Sequence, residues 1–346
     1  MSGGAGVDPG GKTGRPFQEQ SVTAGWRSTA GRLWLATKAC SGNNGHVNTP
    51  IMPRLLAGLS LGLLAVQTSF AQAPAAAAAS ISFAPAAVPD LVAIPRPSPA
   101  EVTRASAALD KFLAQADRPT KALVAKYPDL IAVRPPRANP SLVPFLAANF
   151  RGKHETNVAL AQKGDIDLLF MGDSITDNWR SRGKDVFEKY YGGMKAANFG
   201  IGGDTIQGVL YRLRDGEGQG FQPKAIMLMI GTNNGGALSS AEIAEGVGAI
   251  VQDMRGRFSN AKILLLAIFP RANPGEAIRN TVLGANPIIA KLDDGKNVFY
   301  MDIGEKFLSP DGTIAAEIMP DKLHPTPAGY EIWASAVKEK LALLMK

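Results

Sequence analysis

One cysteine, three histidines and an aromatic content of 7% are what this 346-residue chain has least of. The lone thiol, Cys40, lies upstream of the segment read below as a cleaved leader. The mature chain is therefore expected to hold no disulfide, no thiolate nucleophile and no Cys-based metal site, nor the cysteine that a bacterial lipid anchor needs at its cleavage point. With only His46, His154 and His324 present, few residues can serve as a base near neutral pH.

Acidic residues are also in short supply, and the formal charge is +7. The excess is uneven. Residues 1–71 carry six of the 37 Lys and Arg but only two of the 30 Asp and Glu, so the remainder holds 31 basic against 28 acidic residues. A nearly neutral body without a basic stripe or a reader motif excludes nucleic acid as a partner.

No apolar run reaches the ~20 residues that span a bilayer. The stretch "MPRLLAGLSLGLLAVQTSFAQA" instead offers Arg54, an apolar core from Leu55 to Val66, and the small-x-small pattern Ser69-Phe70-Ala71. It reads as a secretory signal peptide over 52–71, which predicts export to the periplasm or the extracellular space with no stable membrane anchor left after cleavage. Residues 1–51, Gly-rich and without helical or strand period, read as an upstream extension, with Met52 as the true start. The single G-x-S-x-G match, "GLSLG" at 58–62, falls inside the leader, so the nucleophile elbow of α/β-hydrolases is absent from the mature chain.

Past the leader, residues 72–98 form an Ala/Pro-rich linker or surface arm. Ser98-Pro99-Ala100-Glu101 has the form of a capping box with proline at the first helical position. Val102, Ala105, Leu109, Phe112 and Leu113 follow at helical spacing, which predicts a helix over about 99–116 packed on the main domain. A short helix over 119–127 follows, and 99–149 is read as a helical N-terminal extension.

From residue 150 to 346 apolar runs of strand length alternate with helix-length segments. The runs are "IDLLFMG" (166–172), "AANFGI" (196–201), "AIMLMIG" (225–231), "KILLLAIF" (262–269) and "NVFYMDI" (297–303), with helices expected at 240–258 and 276–293. Such alternation implies an α/β domain with a parallel five-stranded sheet and helices on both faces. Thr326 caps the last helix, whose buried stripe is Tyr330, Trp333, Ala334, Val337 and Leu341.

Ligands of open parallel sheets bind beyond the carboxyl ends of the strands. The first three loops there read "GDSITDNW" (172–179), "GIGGDT" (200–205) and "GTNNGG" (231–236). Ser174, opening a helix after a strand, would turn its hydroxyl and its own N–H toward the crevice, which suits a nucleophile whose attack creates an oxyanion. Gly203 can bring a backbone N–H close to a ligand, and Asn233 can donate its side-chain amide. Singly, each has a plain structural reading as cap, turn or loop brace. Their joint placement after successive strands favours an oxyanion hole of Ser174, Gly203 and Asn233.

These blocks, together with "DKLHP" (321–325), resemble the SGNH/GDSL hydrolase family, and "ANFGIGGDTIQGVLYRLRDGE" is similar to the catalytic subunits of platelet-activating-factor acetylhydrolase and to bacterial carbohydrate acetylesterases. The resemblance covers about residues 145–346. It implies a flavodoxin-like α/β/α sandwich and a serine esterase needing neither metal nor organic cofactor. By motif it makes Ser174 the nucleophile and His324 the general base, with Asp321 fixing the imidazole tautomer. Asn234 stands where many relatives have aspartate, as it does in the acetylhydrolase subunits. His154, in "RGKHETNVALAQ", is the competing base, but no block of orienting carboxylate accompanies it beyond the adjacent Glu155.

The expected activity is hydrolysis of short acyl groups, acetyl first, from a carbohydrate or related small ester by way of an acyl-enzyme. Transfer of the acyl group to a glycan acceptor, a lipase or lysophospholipase activity, and a non-catalytic glycan-binding module are the alternatives. A cofactor-binding flavodoxin-like protein fits poorly, because "GIGGDT" is not G-x-G-x-x-G. Related subunits dimerise, so a homodimer is implied by resemblance alone. Asp173 and Asp204 are read as loop-shaping hydrogen-bonders, and Asp177 and Asn178 as starting the next helix. Trp179 is either cleft or core. Arg271 and Asn273 either touch substrate or face solvent.

Overall fold

The computed structural model describes residues 81–127, 133 and 137–346. The upstream extension 1–51, the leader 52–71 and the linker up to residue 80 lie outside the described residues. Among the described residues no helix is long and apolar enough to cross a membrane.

Two short helices come first: α1 (Pro99–Gln115) and α2 (Arg118–Lys126). Helix α1 starts at the capping box, with Ser98 Oγ accepting from Glu101 N–H and the Glu101 carboxylate accepting from Ser98 N–H at 2.8 Å. The expected packing of α1 on the main domain is not what the structure shows. Neither helix buries a side chain, and Phe112 is 54% exposed. The flanks carry the attachment instead. On one side, Ala86 and Val92 are buried, Ile94 N–H donates to Glu245 Oε1 (2.7 Å) and Arg96 grips the same carboxylate through two nitrogens at 2.6 and 2.8 Å. On the other, Asn139 Nδ2 donates to Glu245 Oε2 at 2.9 Å. A fully buried carboxylate is costly to desolvate, and four donors offset that cost, so Glu245 staples both flanks to one helix.

The main body alternates α3 (Arg151–Gln162), β1 (Leu168–Gly172), the single turn α4 (Ser174–Asp177), α5 (Lys184–Tyr191), β2 (Ala196–Asn198), α6 (Ile206–Arg212) and β3 (Ala225–Met229). It continues through α7 (Ser240–Arg257), β4 (Lys262–Leu266), α8 (Ala277–Ile289), β5 (Val298–Met301) and α9 (Pro327–Leu344). All strand pairings are parallel and the order is β2-β1-β3-β4-β5. Strand β1 thus has β2 on one side and β3 on the other, and chain direction reverses across the sheet at this point, opening a crevice above β1.

Side chains alternate between faces along each strand, which splits the core in two. Leu169, Met171, Ile226, Leu228, Ile263 and Leu265 pack against α6, α7 and α8. Leu168, Phe170, Met227, Met229, Leu264 and Leu266 pack against α5 and α9, where Trp179, Tyr330 and Trp333 are buried. Continuous burial of β1 and β3 follows from helices on both faces and explains why these strands read as unbroken apolar runs. Trp179 belongs to this core, 4.3 Å from the Tyr330 ring and 5.0 Å from that of Trp333.

Candidate active site

The residues singled out in the four sequence blocks converge above β1. Asp173 caps α4, its Oδ1 accepting from Ile175 N–H at 3.0 Å, so the chain turns sharply at Ser174. Helix α9 holds the turn from the other side through a hydrogen bond of 2.6 Å from Tyr330 Oη to the Ile175 carbonyl. Ser174 Oγ lies 2.8 Å from His324 Nε2, and His324 Nδ1 lies 2.7 Å from Asp321 Oδ2. Asp321 also accepts from the backbone N–H groups of Leu323 and His324, so one carboxylate fixes both the loop and the ring within it. Lys322, at φ 56°, supplies the left-handed kink that makes the loop so tight. Burial alone would raise the Asp321 carboxyl, but these hydrogen bonds and the neighbouring imidazole outweigh it and hold it below the usual carboxylate range.

The groups expected from the sequence to receive an oxyanion are arranged around Gly203. Its φ of 82° is a conformation that glycine adopts without strain. Gly202 N–H is committed to Asp177 Oδ2 at 3.1 Å, whereas the N–H groups of Ser174 and Gly203 have no intramolecular acceptor among the described residues. Gly200 lets this loop rest directly on the serine turn, since a Cβ there would collide with the backbone of Thr176 and Asp177. Asn233 Nδ2 spends one proton on the Asp204 carbonyl (2.8 Å), which anchors the amide and leaves its second proton to be donated. Arg271 donates to the Thr232 carbonyl at 3.0 Å, so it braces the third loop from behind. Asn273 is spent on Glu276 and Lys322. Asp177 ends α4 and stands at the N-cap of the 3-10 turn Asn178–Arg180, so the next helical turn starts where expected, and its carboxylate is shared by Lys153, Arg180 and Gly202.

His154 is placed differently. Its ring is buried, and, contrary to the expectation of no carboxylate block, two carboxylates accompany it: Glu217 Oε1 at 2.9 Å from Nδ1 and Asp215 Oδ2 at 3.1 Å from Nε2. Both arrive from the wide turn Leu213–Glu217 that extends α6 and breaks at Gly216, a geometry with no signature in sequence spacing. Burial would lower the His154 pKa, but the hydrogen bonds and charges of Glu217 and Asp215 prevail and raise it. Glu217 also pairs with Arg212, which bonds Asp204 Oδ2 at 2.9 Å and the Phe199 carbonyl at 3.0 Å, all fully buried. A chain of charges thus runs from His154 to the residue beside Gly203. Sequence reading missed Arg212 and Glu217 altogether; a buried network between separate elements leaves no local pattern.

A family model described as GDSL-like lipase/acylhydrolase matches residues 170–332, the stretch that holds all these groups. Platelet-activating factor acetylhydrolase IB subunit alpha2 of Homo sapiens is 32% identical over 216 residues, 60% of this chain and 93% of that protein. This chain belongs to the GDSL-like lipase/acylhydrolase family. The Rattus norvegicus subunit matches to the same extent, 32% over 216 residues with 60% and 93% covered. Among solved structures, a GDSL-like lipase from Bacteroides thetaiotaomicron is similar at 21% identity with a TM-score of 0.46, covering 57% of this chain and 98% of that one. Membership makes the protein a carboxylic ester hydrolase of the GDSL type, an acylhydrolase on the α/β sandwich expected of that family.

Proposed function

We propose that this GDSL acylhydrolase is an exported serine esterase that removes short acyl groups, acetyl first, from carbohydrate or related small esters through an acyl-enzyme. The hydrogen-bonded series Ser174 Oγ, His324, Asp321, at 2.8 and 2.7 Å, carries the reading. His324 Nε2 takes the serine proton as Oγ attacks the ester carbonyl, while Asp321 keeps Nδ1 protonated and stabilises the imidazolium. The carbonyl oxygen becomes an oxyanion that the Ser174 and Gly203 N–H groups and the Asn233 amide are placed to receive. Collapse of the tetrahedral intermediate breaks the bond to the alcohol, which leaves with the proton from His324. Water, deprotonated by the same nitrogen, then releases the carboxylic acid and restores the serine.

The preference for acetyl is supported by the acetylhydrolase names of the matched relatives. Export is supported by the leader pattern at 52–71 and would be overturned by finding the protein only in the cytoplasmic fraction, while N-terminal sequencing of exported protein tests Met52 as the start, which residues upstream of 52 would overturn. Activity is tested by acid release from acyl esters and acetylated oligosaccharides. Ser174→Ala is expected to lower turnover about 10⁶-fold, on the scale of other serine hydrolases. Release that survives the substitution would remove Ser174 from the mechanism, and acylated sugar in place of free acid would make the enzyme a transferase.

A further inference from the structure

A groove of about 620 Å³ opens beside the oxyanion loop, and Gly203 is part of its wall. Its opposite wall is not built by the strand loops. Pro140, Val143, Phe145, Ala147 and Phe150 supply it, from the segment that joins the N-terminal extension to α3. The Phe150 ring stands 3.5 Å from where a Cβ on Gly203 would lie, so the groove borders the loop that carries Gly203. The wall is fixed in place: Phe145 N–H donates to the Gln207 carbonyl at 3.1 Å, and Asn139 ties the segment's start to Glu245 at 2.9 Å.

We propose that this groove binds the alcohol portion of the ester, and that the portion it takes is an apolar alkyl or aryl group. The assignment to the alcohol rests on the short-acyl reading above, because an acetyl methyl fills only a small part of such a volume, and within that reading it selects small apolar esters over carbohydrate esters. The chemistry follows from the lining. Five apolar side chains face Thr205 and Gln207, while the Asp204 carboxylate is taken by Arg212. Gln207 Oε1 already accepts from Asn234 at 2.9 Å, which orients the amide and leaves Nε2 as the group it offers. One amide and one hydroxyl are too few partners for the ring of hydroxyls on a sugar, each of which loses water on entry. They suffice to orient a single ether or ester oxygen on an otherwise apolar group. The outer end is open, with Phe145 65% and Val143 47% exposed, so the freed alcohol has a direct way out before water deacylates the enzyme.

The test is a comparison of kcat/KM for ethyl, butyl and hexyl acetate, phenyl acetate and an acetylated methyl pyranoside, using the parent, Phe145→Asp and Val143→Asp. For the parent, kcat/KM is expected to rise about two- to fourfold per methylene of the alcohol. Either aspartate is expected to bring the hexyl-to-ethyl ratio close to one. Thermal melts confirm folding, and two independently exposed positions keep the test valid if one variant fails to fold. A flat parent series, a slope that survives both variants, or a preference for the pyranoside that the variants abolish would overturn the proposal. A parallel series of ethyl esters from acetate to hexanoate isolates the underlying reading. Longer acyl chains preferred there would overturn the short-acyl specificity and reassign the groove to the acyl chain; acetate preferred there, with a flat alcohol series, would overturn the groove proposal alone.

Discussion

Two histidines of this chain sit against carboxylates, and they are left with opposite capacities. His324 has a carboxylate on one nitrogen and the Ser174 hydroxyl on the other, in a partly exposed loop. His154 has a carboxylate on each nitrogen, in the interior. Carboxylates only accept, so a ring placed between two of them must donate from both nitrogens and is held as an imidazolium. It has no lone pair with which to take a proton from serine. What distinguishes the proposed general base from a structural cation here is therefore the second partner rather than the proximity of an acid, and the second partner is set by which element reaches the far side of the ring.

The sharpest way to break this distinction is to remove each ring in turn. His324→Gln is expected to lower kcat by about 10⁵–10⁶ while leaving the melting temperature nearly unchanged. His154→Gln is expected to keep activity within about tenfold and instead to lower stability, since it strips partners from Asp215 and Glu217. Equal losses of activity in both variants would mean that the two sites act as one.

The base site was far easier to read than the cation site. Asp321 and His324 are three residues apart and meet within one loop, and the resemblance of "DKLHP" to a family block is what paired them with Ser174. Ser174, Gly203 and Asn233 each follow an apolar run, and strand periodicity was enough to bring them to one end of the sheet. The five strands were legible for the same reason, though four of the five runs overshoot the observed strand by two or three residues at the carboxyl end, because loop residues above the crevice are apolar and buried too, as Ile230, Ile268 and Phe269 show. By contrast, His154 lies on α3 while Asp204, Arg212 and Glu217 fall within residues 204–217, and only tertiary packing joins the two stretches. Helix α1 fails in the opposite way: its apolar spacing is real, but periodicity states that a helix has a face and not what covers it.

The next effect in size concerns what the buried charges cost when parted. Glu217→Ala leaves Arg212 and His154 short of a shared partner in the interior, and the loss of a buried pair typically destabilises by ~3–5 kcal/mol. Replacing both partners, Arg212→Met with Glu217→Leu, is expected to recover only part of that in urea unfolding, because it removes the broken pair but strips Asp204 of its cation and His154 of one carboxylate. The double variant is nevertheless expected to turn over more slowly than the parent at unchanged KM, since Arg212 also holds Asp204 beside Gly203. A double variant with full activity would show that the network stabilises the fold without positioning the oxyanion loop.

A smaller effect tests the serine turn itself. Burial pushes the Asp173 carboxyl up to about 7, helped by the nearby Asp204 and opposed by the Ile175 N–H and Arg271. A carboxyl raised from 3.8 binds more protons folded than unfolded, so its contribution is present below pH 4 and is lost as pH climbs to 7. At ~1.4 kcal/mol per unit the loss has an upper bound of about 4 kcal/mol. Asp173→Asn keeps the acceptor for Ile175 but cannot ionise. Its unfolding free energy is expected to be flatter than the parent's between pH 4 and 7, whatever the constant offset from the new amide.

His154 titrates in an adjacent window, and the two windows can be separated. Its pKa is raised above the ordinary 6.5 by Glu217 and Asp215, so the folded protein again holds more protons than the unfolded chain. The sign follows: the stabilisation is complete below pH 6.5 and is lost as pH rises through the higher folded value. In an Asp173→Asn background the lower window is silent, and unfolding measured from pH 6 to 9 should decline in the parent ring and flatten in His154→Gln. Activity followed over the same range should decline together with stability only if loss of the imidazolium loosens Glu217, Arg212 and hence the loop that carries Gly203. Stability that instead rises through this range would mean that His154 is neutral when folded, and the contrast between the two histidines would have to be drawn from burial alone.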